Sequence, residues 1–78
     1  MKEIEDMDSL KTFLRHLRKK ARLSQSELAQ LAGLSRTAIQ ALEDGKSTCK
    51  LATLFKVTHV LNLKLYAEHP LLPHEITS

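Results

Sequence analysis

Residues 23–45 read LSQSELAQLAGLSRTAIQALEDG, and this stretch decides the fold. Ser24 followed by Glu27 forms the S-x-x-E pattern that opens a helix, each side chain covering a free backbone N–H of the first turn. Leu28, Ala29, Leu31 and Ala32 supply an apolar run, and Gly33 closes it with a residue able to take positive φ. After Leu34, Ser35 caps a second helix in which Ile39 and Leu42 pack inward. Arg36, Thr37, Gln40 and Ala41, on its outward face, are polar or small. Asp44-Gly45 ends that helix, the aspartate tolerating the bend and the glycine supplying left-handed backbone.

Two short capped helices joined through a glycine, with small Ala29 where they cross, make a helix-turn-helix, in which the second helix is offered to the major groove of DNA. An αα-hairpin of a plain helical bundle would account for any one of these signals. It would not account for both caps, the small residue, the glycine and the closing turn at fixed offsets.

Outward from this unit the pattern stays helical. Upstream, Leu10, Phe13, Leu14, Leu17 and Ala21 recur at spacings of three and four, with Ser9 as the expected cap. Residues 1–8 read as a flexible acidic lead-in. Downstream, Leu51, Leu54, Phe55, Thr58 and Leu61 predict a further helix with Thr48 as a candidate cap. From Asn62 the rhythm changes to two: Leu61, Leu63, Leu65 and Ala67 alternate with Asn62, Lys64, Tyr66 and Glu68, as in a strand. Pro70 and Pro73 interrupt any regular element beyond it, so 69–78 reads as a loose tail. The expected organisation is a 9–61 DNA-binding domain, a 62–68 dimerisation strand and that tail.

Composition narrows the function. Residues 9–68 hold eleven Lys and Arg against four acids, and five of the bases (Arg15, Arg18, Lys19, Lys20, Arg22) fall between 15 and 22. A basic body of this kind fits a polyanion binder, although a solvated helix face has the same composition. With a single cysteine, Cys49, no internal disulfide is available, and His16, His59, His69 and His74 lack zinc spacing, so neither metal nor cofactor is expected. No apolar run is long enough to span a bilayer and no apolar leader opens the chain, which places the protein in the cytoplasm as an expectation. No nucleophile–base pair, acid pair or phosphate-binding glycine loop is visible, so an enzyme is not expected.

A chain of 78 residues has a thin core and calls for a staple. A lone strand leaves unpaired backbone groups, and no other segment reads as its partner. Pairing with the same strand of a second copy satisfies those groups, predicting a homodimer held through Leu63 and Leu65 with packing around Phe55 and Leu61. The alternative is that 62–68 prolongs the last helix.

Residues 10–61, above all SQSELAQLAGLSRTAIQALEDG, resemble the Cro/phage-repressor (xenobiotic-response-element) class of helix-turn-helix domains. That resemblance implies an all-α, lambda-repressor-like domain of four to five helices that binds a palindromic operator as a two-fold dimer. It further implies that Ser24, Gln25 and Lys46 meet the DNA backbone, that Arg36, Thr37 and Gln40 face base edges, and that Arg18 and Glu43 form a structural ion pair. Arg36 can fork onto guanine and Gln40 onto adenine, although a phosphate contact that reads no sequence would also suit Arg36. The run into LNLKLYA is similar to HipB-type antitoxins, which implies a HipA-type kinase toxin as a further partner. Three functions stay open at this level: an autoregulating antitoxin, a stand-alone or prophage repressor, and an interaction module that has lost DNA binding.

Overall fold

The computed structural model describes residues 3–46 and 49–71. Four helices fill them: α1 (Met7–Lys20), α2 (Gln25–Ala32), α3 (Arg36–Glu43) and α4 (Leu51–Val60). The chain of packing runs α1 on α3, α3 on α2 and α2 on α4. Leu14, Leu28, Ala29, Ile39, Leu42 and Val57 are buried between them, one or two from each helix. Leu10, Leu23, Leu34, Leu54, Val60, Leu61 and Leu63 close the edges of this core.

Three of the four helices start on a side-chain cap. Ser24 and Glu27 make the expected reciprocal box on α2, with the Glu27 N–H donating to Ser24 Oγ at 3.0 Å and the Ser24 N–H to Glu27 Oε1 at 2.9 Å. Ser35 accepts from the Ala38 N–H at 3.1 Å. At α1 the cap is Asp6, not Ser9. Asp6 accepts from the Ser9 N–H at 2.8 Å while Ser9 Oγ accepts from the Asp6 N–H at 3.2 Å, so Ser9 is the inner half of the box. The helix therefore starts within the acidic segment, whose residues 7 and 8 are helical. Before α4 the N-cap position is Lys50, without a side-chain cap bond, and Thr48 lies outside the described residues.

One device ends all four helices. A residue with left-handed backbone stops each: Arg22 (φ 61), Gly33 (φ 69), Gly45 (φ 70) and Asn62 (φ 55). The next residue donates its N–H back five positions, Leu23 to Arg18 at 3.1 Å, Leu34 to Ala29 at 2.8 Å, Lys46 to Ala41 at 3.1 Å and Leu63 to Thr58 at 2.9 Å. These bonds occupy carbonyls that a helix end would leave bare. At three of the four stops the next residue is a leucine packed on the core, so the turn that ends the helix also seals its apolar edge.

Leu31, in the apolar run of α2, is 62% exposed, and with Phe55, His59 and Val60 it lines an open groove between α2 and α4. Residues 63–69 do not prolong α4, and within one chain they form neither helix nor strand. A strand exists only through a ladder to a neighbour, and among the described residues no segment offers one. Residues 69–71 turn back on themselves, the Leu71 N–H donating to His69 Nδ1 at 3.0 Å. The remainder of the 69–78 tail lies outside the described residues.

The four stops give opposite expectations for two substitutions. Nothing lies within 4 Å of a Cβ built on Gly33, so Gly33→Ala carries only the backbone cost of left-handed φ, about 1 kcal/mol. Arg22 already bears that cost, and Arg22→Gly should stabilise by roughly 0.5 kcal/mol once glycine's larger unfolded-state entropy is offset. Urea unfolding of the two variants checks this, and a shift in the same direction for both would refute it.

Candidate nucleic-acid interface

The side chains that could read a duplex sit at the start of α3. Arg36, Thr37 and Gln40 are all exposed, and among the described residues nothing bonds their side chains. They face away because Ile39 and Leu42, on the opposite face, are 0% and 2% exposed in the core. The serine caps of α2 and α3 each occupy one first-turn N–H; the remaining first-turn N–H groups and the helix dipoles favour an anion nearby.

Behind this face lies the only buried carboxylate among the described residues, Glu43, 2% exposed at the last position of α3. Arg18 of α1 grips it in a fork, Nε donating to Oε2 at 2.6 Å and Nη2 to Oε1 at 2.9 Å. A third Arg18 N–H, on Nη1, donates to the Leu23 carbonyl at 2.8 Å. Gln25, the first residue of α2, adds a bond from Nε2 to Glu43 Oε1 at 3.2 Å. Arg15 comes within 3.6 Å of Oε1 and donates from Nη2 to the Glu43 carbonyl at 3.3 Å. One carboxylate thus ties α1, α2 and α3 together. Among the described residues no buried side-chain polar atom lacks a partner.

The electrostatics follow from these contacts. Burial pushes the Glu43 carboxyl up, but the hydrogen bonds from Arg18 and Gln25 and the charges of Arg18 and Arg15 outweigh it, leaving it below the usual glutamate range. The same hydrogen bond to Glu43 raises Arg18. Glu27 is held low by the Ser24 backbone and hydroxyl.

The structure brings Arg18 and Glu43 together as expected. Ser24 accepts from the Glu27 N–H in the helix cap, and its hydroxyl also helps to hold the Glu27 carboxylate. Gln25 is partly held inward by Glu43, a bond between residues 18 apart that no local pattern signals. Lys46 is exposed just after the α3 stop. Of the expected dimer residues, Phe55 and Leu65 are 52% and 49% exposed, whereas Leu61 and Leu63 pack against the chain's own core. Sequence reading missed Leu51, 65% exposed, on the same helix as Phe55.

Two consecutive capped helices, the second presenting a free polar face backed by a cross-braced carboxylate, define a helix-turn-helix domain. The chain belongs to the helix-turn-helix family, whose pattern matches residues 14–66. Its fold is similar to that of a chain in a HipA–HipB–O2–O3 complex, with TM-score 0.83 and 24% identity over 90% of this chain and 99% of that one. A chain in a HipB–O4 20mer complex is similar at TM-score 0.82 and 24% identity, again over 90% and 99%. No curated relative matches the chain. No helix among the described residues is long and apolar enough to cross a membrane.

Removing one partner from a buried, hydrogen-bonded pair strands the other, so Glu43→Ala should destabilise by roughly 3–5 kcal/mol, while Arg18→Met/Glu43→Leu recovers most of that loss. The folded carboxyl titrates below its unfolded value of about 4.3. Its contribution is therefore complete above that pH and is lost as the pH falls through the lower folded value. Urea unfolding from pH 7 to pH 3 should show a shallower acid decline for Glu43→Gln than for the native chain. Identical slopes would remove Glu43 from the acid response.

Proposed function

We propose that this chain is a sequence-specific double-stranded DNA-binding repressor that acts as a homodimer on a palindromic operator and serves as the autoregulating antitoxin of a HipA-type kinase toxin. The observation that carries the DNA reading is the free polar face of α3, held at a fixed angle by the Arg18–Glu43–Gln25 tie. A domain released from DNA has no need to leave Arg36, Thr37 and Gln40 outward and unbonded. In this reading those three meet base edges, while Ser24, Gln25 and Lys46 meet phosphates on either side.

The dimer rests on what one chain leaves uncovered. Leu31, Leu51, Phe55, Leu65 and Tyr66 are each about half exposed or more. Pairing of the segment after the Asn62 stop, residues 63–68, across a two-fold axis satisfies its free backbone groups and covers Phe55 and Leu65. Two-fold symmetry then sets two recognition helices about 34 Å apart, one helical turn of DNA. The toxin reading draws support from the fold shared with a chain found in a HipA–HipB complex on DNA.

Titration of the purified protein with the DNA upstream of its own reading frame tests the first part. Specific binding should exceed that to random duplex by ~10³-fold or more. Arg36→Ala/Gln40→Ala should lose that preference and keep only salt-sensitive binding, and Phe55→Asp/Leu65→Asp should weaken binding by breaking the dimer. A native protein with no preference over random DNA at low salt would end the repressor reading. For the toxin, co-expression with the product of an adjacent kinase-like reading frame should restore growth and yield a co-purifying complex; neither outcome occurring would leave a repressor without a toxin.

A further inference from the structure

A groove of about 230 Å³ lies between α1 and the end of α3, lined by Lys11, Thr12, Arg15, His16, Lys19 and Glu43. Lys11, Arg15 and Lys19 succeed one another at intervals of four, a single basic stripe about 12 Å long on one face of α1. The one acid lining the groove, Glu43, is already neutralised by the Arg18 fork. Lys11 pairs at 3.2 Å with Asp8, whose side chain is 84% exposed, so water and salt weaken the pair. Arg15 is anchored by its bond to the Glu43 carbonyl, so its guanidinium is pre-oriented rather than free.

The position of this groove decides its use. The Lys11 stem lies so close over Gly45 that a Cβ there would sit 2.8 Å from Lys11 Cδ. The stripe therefore abuts the α3 stop and the exposed Lys46 beyond it. A recognition helix that points its N-terminal residues at base edges leaves the major groove at its other end, over the phosphates of the rim. We infer that the α1 groove is a second phosphate-binding site, in which Lys11, Arg15 and Lys19 hold two backbone phosphates outside the stretch read by α3. The inference rests on the DNA-binding reading and extends its footprint from the helix-turn-helix to the first helix. The contacts carry no sequence information, since a phosphate is the same on every nucleotide.

The test is the salt dependence of binding to the upstream duplex, for native protein and for Lys11→Ala/Lys19→Ala. Each phosphate that no longer meets a cation lowers the slope of log K against log salt by about 0.9; with Arg15 left to hold one of the two, the double variant should fall by about 1 while its preference over random duplex persists. Lys11→Met/Lys19→Met, which keeps the stem over Gly45, should show the same reduction with an unchanged melting curve by circular dichroism. An unchanged slope in the methionine variant, with native protein binding normally, would overturn the groove and leave the repressor reading intact. Native protein that binds no DNA at any salt would overturn both.

Discussion

The structure depends on a single buried carboxylate. Glu43 ends α3 inside the protein, where an ionised group is stable only if its lone pairs are filled; Arg18 and Gln25 fill them from two other helices, and Arg15 adds a positive charge 3.6 Å away. A guanidinium fork accepts only a narrow range of angles. Meeting that geometry fixes the rotation of α3 about its own axis relative to α1 and α2, and thereby decides which of its side chains look outward. A buried ion pair of this kind contributes little net stability against an apolar replacement. Its contribution here is orientation.

Around that brace the helices are short, and short helices need defined ends. Eight-residue α2 and α3 are too short to persist through propensity alone. Their caps and left-handed stops hold them. Leu23, Leu34 and Leu63, each placed just beyond a stop, turn local chain reversal into core packing. The core then needs only a handful of buried side chains, since each helix end carries part of the apolar edge.

Much of this was legible in the residues. The Ser24/Glu27 box, Gly33, the Asp44-Gly45 stop and the inward Ile39 and Leu42 are local signals, written within four or five residues of one another. What escaped is what local signals cannot hold. Asp6 and Ser9 are both good caps three apart, and only the backbone shows which one is outermost. Arg22 is of no type that announces left-handed backbone. In two turns of helix Leu31 could belong to either face, and only the seat of α4 decides against the core. The Gln25–Glu43 bond and the Lys11–Gly45 contact join residues 18 and 34 apart in the chain and exist only once it has folded. The two-residue rhythm after Asn62 has no counterpart within one chain, where residues 63–69 form neither helix nor strand.

The unbonded state of Arg36, Thr37 and Gln40 has a consequence for how such a protein can change. Its fold is secured by Glu43, by four helix stops and by a core to which these three side chains contribute nothing. Substitution at those positions leaves the architecture untouched, in the range of surface changes that move stability little. New surface chemistry can therefore be tried there one residue at a time, on a scaffold that is never at risk. The separation of scaffold from the exposed α3 face makes the domain readily adaptable, because selection can act on that face without first rescuing the fold.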